Sequence, residues 1–272
     1  AERSDLVSAH GIGRALKAYV GAVKSMPMWD VKKSGVTVTV DKSVREVRPF
    51  TVAAIIKNLT LTDDDICEII AVQEKINQSF ARRRRRGAIG IYPLEPITPP
   101  ITYLALPPGE ISFQPLDAQG VMSGAQILTD HPAGKEYAYL LEGMKAYPIF
   151  RDSKGEILSM PPLINSEKLG RVTESTKDIF IECSGFDIEL LQRILNILVT
   201  MFSDMGGSIE SVDVKYDDMT ITTPDLTPIE RTVSVEHVRN MLGINVGEKE
   251  VKELLTRMMY GIVSSKNGVL AV

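Results

Sequence analysis

Two apolar runs constrain the fold of this chain more than any other feature of its sequence. Thr51–Leu59 and Ile179–Cys183 place β-branched and other apolar residues at successive positions, which predicts buried strands. A strongly apolar helix is predicted directly after the second run, over Asp187–Phe202. We therefore expect an α/β fold in which helices pack on a mixed sheet.

Shorter signals place further elements around these runs. Val36–Val40 alternates between apolar and polar residues, which indicates a strand. Thr62 is followed by three aspartates, which favour the first turn of a helix. We expect that helix to continue into Arg82–Arg86, and a strand to follow over Ala88–Tyr92.

The two ends of the chain are predicted to be mainly helical, unlike its centre. The spacing of apolar residues predicts an N-terminal helix over Asp5–Lys24 with Ser4 as its N-cap. Pro224–Pro228 predicts a linker, so we place a domain boundary near Pro224, followed by two short helices. Because the chain begins without Met and ends at Val272, just after the hairpin signal Asn267-Gly268, we expect a piece of a longer polypeptide with a truncated last strand.

The composition excludes several classes of protein. With 272 residues, 44% of them hydrophobic and 24% charged, the chain has the make-up of a globular protein rather than a disordered one. No stretch approaches the ~20 apolar residues of a membrane helix. The net charge of −4 argues against a protein that coats nucleic acid through overall charge. Two cysteines and three histidines lack metal-ligand spacing, so we assign no metal site and expect a reducing, cytoplasmic location.

Five consecutive arginines, Arg82, Arg83, Arg84, Arg85 and Arg86, form the strongest charge feature. Guanidinium groups match the geometry of phosphate, so the run is a candidate RNA-binding segment. Contact with an acidic protein partner is an equal alternative. The plainer interpretation is a solvated helix end whose cations complement the helix dipole.

The segment from Phe150 to Gly185 contains the candidate chemistry. Small hydroxyl residues and a carboxylate stand at the ends of apolar strands, a pattern that can line a pocket with a few polar groups in an apolar wall. Glu182, on a predicted buried strand, needs hydrogen-bond donors or a raised pKa. Spacing alone favours the plainer interpretation, in which these residues form ordinary turns and one edge carboxylate.

A set of segments in a fixed order and spacing favours the pocket over the plainer interpretation. These segments are Arg48–Ala54, Gln73–Ile76, Ala88–Gly90, Leu158–Asn165, Thr176, Ile179–Gly185, Val199–Ser203 and Leu254–Met258. Across nearly all of the chain, they resemble the beta subunit of phenylalanyl-tRNA synthetases of the archaeal and eukaryotic cytosolic type.

This resemblance implies three regions and a larger enzyme. Residues 1–35 match the tail of an N-terminal domain, 36–223 an editing domain of the B3/B4 type, and 224–272 the truncated start of a B5-type helical module. The family enzyme is a ligase, an α2β2 tetramer that charges tRNA(Phe) with phenylalanine using ATP and Mg²⁺. The resemblance places its synthetic site on the alpha subunit, so no cofactor is assigned to this chain. The beta subunit hydrolyses tyrosine wrongly attached to tRNA(Phe).

The resemblance also assigns the editing pocket, at Phe150, Ser159, Glu182 and Ser184. It implies that Glu182 accepts a hydrogen bond from the substrate or orients water. Ser159 and Ser184 would hydrogen-bond the substrate or the attacking water, and Phe150 would form an apolar wall. The rival hypothesis is a tRNA-binding or subunit-assembly module with an inactive pocket. It is motivated by Arg82–Arg86 and by Phe150, where some relatives have an aliphatic residue.

Overall fold

The structure is a computed structural model that describes residues 3–24 and 26–272. Its contacts divide the chain into two compact units. Asp30–Asp225 form the first unit, together with Arg3 and Ser4, whereas Asp5–Trp29 and Leu226–Val272 form the second. Among the described helices, none is both long enough and apolar enough to cross a membrane.

The elements are numbered along the chain. The helices are α1 (Ala9–Tyr19), α2 (Asp63–Gln78), α3 (Gly124–Asp130), α4 (Pro132–Tyr137), α5 (Glu167–Gly170), α6 (Ile188–Asp204), α7 (Val235–Leu242) and α8 (Glu248–Arg257). The strands are β1 (Val31–Val40), β2 (Phe50–Lys57), β3 (Gly87–Pro93), β4 (Ile101–Leu106), β5 (Ser112–Phe113), β6 (Met122–Ser123), β7 (Tyr147–Arg151), β8 (Ile157–Met160), β9 (Ile164–Asn165), β10 (Ile179–Gly185), β11 (Ser208–Lys215), β12 (Thr220–Thr223), β13 (Thr232–Ser234), β14 (Ser264–Lys266) and β15 (Val269–Ala271).

One ten-stranded mixed sheet organises the first unit. Its strands follow the order β3-β10-β2-β11-β1-β4-β7-β8-β9, and β12 pairs with β11. Strand β1 runs parallel to β11 and β4, whereas the other pairs are antiparallel. The Asn165 side chain on β9 donates to the Ile91 carbonyl on β3 (3.3 Å), so the two ends of the sheet approach each other and it nearly closes into a barrel. The predicted α/β class, with a mixed sheet and packed helices, is confirmed.

The two apolar runs form β2 and β10, which lie side by side near one end of the sheet. Helix α6 packs across both strands, so one face of each is covered by apolar helix residues. The other face looks into the barrel, where Phe180 of β10 joins Tyr92 and Phe150 in one apolar core. Because both faces are buried, successive positions had to be apolar, which is why the runs predicted these strands.

Helix α2 begins as predicted but ends earlier. Thr62 and Asp65 form a capping box at its start. The helix stops at Gln78, so the prediction that it continues into the arginines is wrong. The chain must reverse here to enter β3 alongside β10, and tertiary pairing overrides the helix preference of arginine. We call Arg82–Arg86 the arginine turn.

The second unit is small. Strands β13, β15 and β14 form a three-stranded sheet over a cluster of Val235, Val246, Val251 and Leu270. The predicted N-terminal helix is shorter than expected, because the Ser8 hydroxyl, not Ser4, caps α1 by accepting from the Gly11 amide (2.9 Å). The predicted hairpin forms with φ of 52° at Asn267 and 76° at Gly268, and its second strand, expected to be cut off, pairs as β15.

Candidate active site

The four predicted site residues occupy three strands and are all buried. Phe150 on β7 lies directly opposite Ser159 on β8 in the strand register. Glu182 and Ser184 are two residues apart on β10, so their side chains lie on the same face of the strand, which is the inner face of the sheet. Their exposed fractions are between 0% and 2%. The near-closure of the sheet brings β8 and β10 together, although they are far apart in strand order.

Tyr92 joins the two halves of this cluster. Its hydroxyl lies 2.7 Å from the Ser159 Oγ atom and 3.2 Å from Oε1 of Glu182, and it donates to either acceptor. The other carboxylate oxygen, Oε2, is buried and has no hydrogen-bond partner within the described part of the chain. An unpaired buried acceptor is costly, so this oxygen is suited to receive a donor from a bound molecule.

The environment of Glu182 favours the neutral carboxyl group. Burial raises its pKa from 4.5 to about 8. The Tyr92 hydroxyl, the Arg48 guanidinium and the neighbouring Ser184 hydroxyl each act in the opposite direction by stabilising the ionised form. Because the first effect dominates, the carboxyl group is largely protonated at neutral pH.

Ser184 is held by a buried cation. Arg48, 3% exposed, donates from Nη2 to the Ser184 carbonyl (2.8 Å) and from Nε to the Ser184 Oγ atom (3.3 Å). Burial lowers the pKa of Arg48, but a guanidinium stays charged in proteins. The site therefore contains one buried cation close to one buried carboxyl group.

Phe150 lies within the apolar core behind Ser159. Its ring stacks on Tyr103, with 4.4 Å between the ring centroids and 17° between the ring planes. Phe150 has no exposed surface and belongs to the same core cluster as Tyr92 and Phe180. Phe150 can therefore shape the site by packing beside β8 within the core.

A cleft of about 190 Å³ opens beside Ser159 and Glu182. Its walls come from α2, the arginine turn, β3 and the segment between β8 and β9. The lining residues are Ile70, Gln73, Glu74, Asn77, Arg84, Ala88, Ile89, Leu116, Ser159, Pro161, Pro162, Leu163, Ile164, Asn165 and Glu182. Asn77 contributes a second buried oxygen, Oδ1, with no partner among the described residues. The cleft thus combines apolar walls with a few polar groups, as small-molecule sites do.

The arginine turn divides its five side chains between two roles. Arg84 turns inward, where its Nη1 donates to the carbonyls of Pro162 and Leu163 (3.0 Å each) in the cleft wall. Arg86 forms an ion pair with Asp187, the N-cap of α6 (2.8 Å). Arg82, Arg83 and Arg85 are exposed.

Comparisons with known proteins identify relatives of the chain as a whole. No protein-family model matches the chain. The phenylalanine–tRNA ligase beta subunit of Pyrococcus horikoshii is 44% identical over 264 residues, which cover 97% of this chain and 47% of that protein. The corresponding subunit of Archaeoglobus fulgidus is 41% identical over 258 residues, which cover 95% of this chain and 47% of that protein.

A solved structure decides the family. The crystal structure of an N-terminal fragment of the phenylalanyl-tRNA synthetase beta subunit from Pyrococcus horikoshii matches with a TM-score of 0.95 at 43% identity, covering 99% of this chain and 77% of that one. This chain belongs to the phenylalanyl-tRNA synthetase beta-subunit family. The predicted family, and with it the predicted kinship to a ligase subunit, is confirmed. The chain spans about half the length of the curated beta subunits it matches.

Three residues of this beta-subunit site were missed from the sequence. Tyr92 and Arg48 reach Glu182 and Ser184 only through strand pairing. Gly90 lies opposite Glu182 in the register, and a Cβ atom there would lie 2.1 Å from the Tyr92 hydroxyl and 2.5 Å from Oε1 of Glu182. Glycine inside a strand is a signal of close approach, and it could have pointed to this position.

The described residues contain no group of three or more His, Cys, Asp or Glu side chains that could hold a metal ion. Both cysteines, the exposed Cys67 and the buried Cys183, are free.

Proposed function

We propose that the cleft is an editing site that hydrolyses the ester bond of Tyr-tRNA(Phe). One observation carries the proposal: Oε2 of Glu182 is a buried acceptor without a protein partner, in a cleft with apolar walls. The phenolic hydroxyl is the one group that tyrosine has and phenylalanine lacks. A site that pairs with this hydroxyl discriminates strongly, because phenylalanine would leave the buried acceptor unpaired.

We assign Glu182 to hydrogen bonding rather than to removal of a proton from water. With a pKa of about 8, the carboxyl group is largely protonated at neutral pH, and in that form it cannot take a proton from water. A protonated carboxyl group offers one donor and one acceptor, and a phenol can pair with both. Ser159 lines the same cleft and is placed to hydrogen-bond the substrate or the attacking water.

The other two predicted residues have supporting parts in this proposal. Ser184 accepts a hydrogen bond from Arg48 and lies close to the carboxyl group, where its hydroxyl favours the ionised form. Phe150 does not line the cleft, and its part is to pack beside Ser159 from the core.

The wider assignments follow from the family. We propose that the chain acts with an alpha subunit in an α2β2 ligase that charges tRNA(Phe) in the cytoplasm, and that ATP and Mg²⁺ serve the alpha subunit. Residues 36–223 would be the editing domain, 1–35 the tail of the preceding domain and 224–272 the start of a B5-type module.

Deacylation of Tyr-tRNA(Phe), with Phe-tRNA(Phe) as the reference, tests the editing proposal. We expect the enzyme assembled with the alpha subunit to release tyrosine selectively. Glu182→Ala and Ser159→Ala should abolish that selectivity, whereas Glu95→Ala, at an exposed carboxylate, should retain it. A Glu182→Ala enzyme with unchanged rates for both substrates would contradict the assignment.

A second candidate function is a tRNA-binding or assembly module with an inactive cleft. The exposure of Arg82, Arg83 and Arg85 favours it, since three exposed guanidinium groups can contact phosphates. Under this alternative, changing these three arginines to glutamine weakens tRNA binding or assembly, and substitutions in the cleft leave deacylation unchanged. Selective loss of tyrosine release in the cleft variants would reject the inactive-cleft hypothesis.

A further inference from the structure

Tyr92 contacts the two residues that are proposed to bind the substrate, and it does so from the interior of the protein. Its hydroxyl lies within hydrogen-bond distance of Ser159 (2.7 Å) and Glu182 (3.2 Å). Ser159 and Glu182 line the cleft, whereas Tyr92 has no exposed surface and its ring packs beside Phe180, with 5.9 Å between the ring centroids. Tyr92 therefore offers a phenol to this pair from behind, as tyrosine would offer one from the cleft.

In this arrangement, one oxygen of the Glu182 carboxyl group is hydrogen-bonded and the other is not. Oε1 is within reach of Tyr92, and Oε2 has no partner among the described residues. The contact also limits rotation of the carboxyl group, because a turn that moved Oε1 into the cleft would break its hydrogen bond. The absence of a side chain at Gly90 keeps this geometry open, since a Cβ atom would collide with both groups.

We infer that Tyr92 is a positioning residue for tyrosine-against-phenylalanine discrimination, acting by fixing Glu182 so that a single unpaired oxygen faces the bound amino acid. The inference rests on the proposed editing function and extends it. Without the Tyr92 hydroxyl, both Ser159 and Glu182 lose their internal partner. The carboxyl group is then free to rotate and to pair with water away from the cleft, so a bound phenylalanine no longer leaves one of its oxygens unpaired.

The electrostatic surroundings give the inference a second readout. The Tyr92 hydrogen bond stabilises the ionised carboxylate, so its loss raises the pKa of Glu182 further. The other titratable or charged groups that influence this carboxyl group, or line the cleft with it, are Arg48, Tyr103, Cys183, Glu74 and Arg84. All of these are retained when only the Tyr92 hydroxyl is removed, so a change in the titration reports on that hydroxyl.

Tyr92→Phe in the enzyme assembled with the alpha subunit tests the inference. Rates of deacylation are measured for Tyr-tRNA(Phe) and Phe-tRNA(Phe) across neutral and alkaline pH. We expect the ratio of the two rates to fall about tenfold, the value of one hydrogen bond, and its pH dependence to move to higher pH. Combining Tyr92→Phe with Glu182→Gln should give the same ratio as Glu182→Gln alone, because Tyr92 acts through that carboxyl group.

Tyr216→Phe is the matched control. The Tyr216 hydroxyl donates to the Thr51 carbonyl (2.6 Å) and accepts from the Thr51 amide (2.9 Å), so its removal takes away two hydrogen bonds and leaves those of Glu182 in place. This variant should retain both the rate ratio and its pH dependence.

The outcomes separate the inference from the function on which it rests. If the unaltered enzyme edits and Tyr92→Phe leaves the ratio and its pH dependence unchanged, the inference is overturned and the editing function stands. If Tyr92→Phe lowers both rates equally without moving the pH dependence, Tyr92 is only structural and the inference is again overturned. If the unaltered enzyme releases no tyrosine, the editing function and the inference are both rejected.

Discussion

The cleft beside Glu182 and the arginine turn are two polar regions of the same unit, and they differ in how they use charge. Glu182 is 1% exposed and has one unpaired oxygen, whereas Arg82, Arg83 and Arg85 are exposed to water. Burial raises the pKa of this single carboxyl group to about 8, whereas water screens the charges of the three exposed arginines.

This difference shows that the longest run of charged residues in the sequence is not where the protein environment perturbs an ionisable group most. Two of the five arginines are used within the fold: Arg84 holds the cleft wall and Arg86 pairs with Asp187. The turn therefore supports the cleft as well as offering cations to a partner. Burial, rather than the number of charges, identifies the chemically distinctive group.

The largest expected effect comes from a change that fills the space beside the carboxyl group. Gly90→Ala places a Cβ atom 2.1 Å from the Tyr92 hydroxyl and 2.5 Å from Oε1 of Glu182, so both groups must move. We expect editing to fall roughly 100-fold, because displaced recognition groups lose their alignment with the substrate. Overpacking should also cost about 1–3 kcal/mol of unfolding free energy, measured by urea unfolding.

Gly109→Ala is the control for this substitution, since no atom lies within 4 Å of the position of its Cβ. It should leave both editing and stability nearly unchanged. Equal effects of the two substitutions would show that crowding at Glu182 is not the cause.

A pH-dependent effect is expected from replacing the buried carboxyl group without changing its shape. The pKa of Glu182 is about 8 in the folded chain against 4.5 for an ordinary glutamate, so folding takes up a proton between these values. The stabilising contribution is complete below about pH 4.5 and is lost as the pH rises through about 8. Glu182→Gln has no such loss.

We therefore expect Glu182→Gln to gain stability relative to the unaltered protein as the pH rises between these limits. The gain is at most about 1.4 kcal/mol per pH unit. Urea unfolding across this range measures it, with Glu95→Gln as an exposed control. A difference that is independent of pH would mean that the carboxyl group titrates normally.

Local patterns were sufficient to predict the main strands and the helix that covers them. β2 and β10 are mostly apolar and α6 has a broad apolar face, so the sequence itself records that they are buried. The site residues Ser159 and Glu182 were assigned only through the family resemblance, since their spacing alone favoured ordinary turns.

The remaining parts of the site depend on pairing that no local pattern records. Tyr92 is 90 residues from Glu182 in sequence and Arg48 is 136 residues from Ser184, so only the register of β3, β10 and β2 brings them together. The arginine turn was mistaken for a helix end because arginine favours helices. Its backbone instead adopts positive φ values at three successive positions, of 48° at Arg82, 54° at Arg83 and 61° at Arg84.

These backbone angles lead to the smallest of the expected effects. A left-handed conformation costs a residue with a Cβ atom about 1 kcal/mol, and glycine avoids this cost. Arg82→Gly should therefore leave the unfolding free energy unchanged or raise it by about 0.5 kcal/mol, despite the loss of an exposed side chain. Arg85→Gly, at a position outside the left-handed region, should lower it by about 0.5–1 kcal/mol, because glycine adds disorder to the unfolded chain and the contact of the guanidinium with Tyr139 is lost. Urea unfolding measures both variants. If both lose the same free energy of unfolding, the left-handed backbone of the arginine turn is not strained.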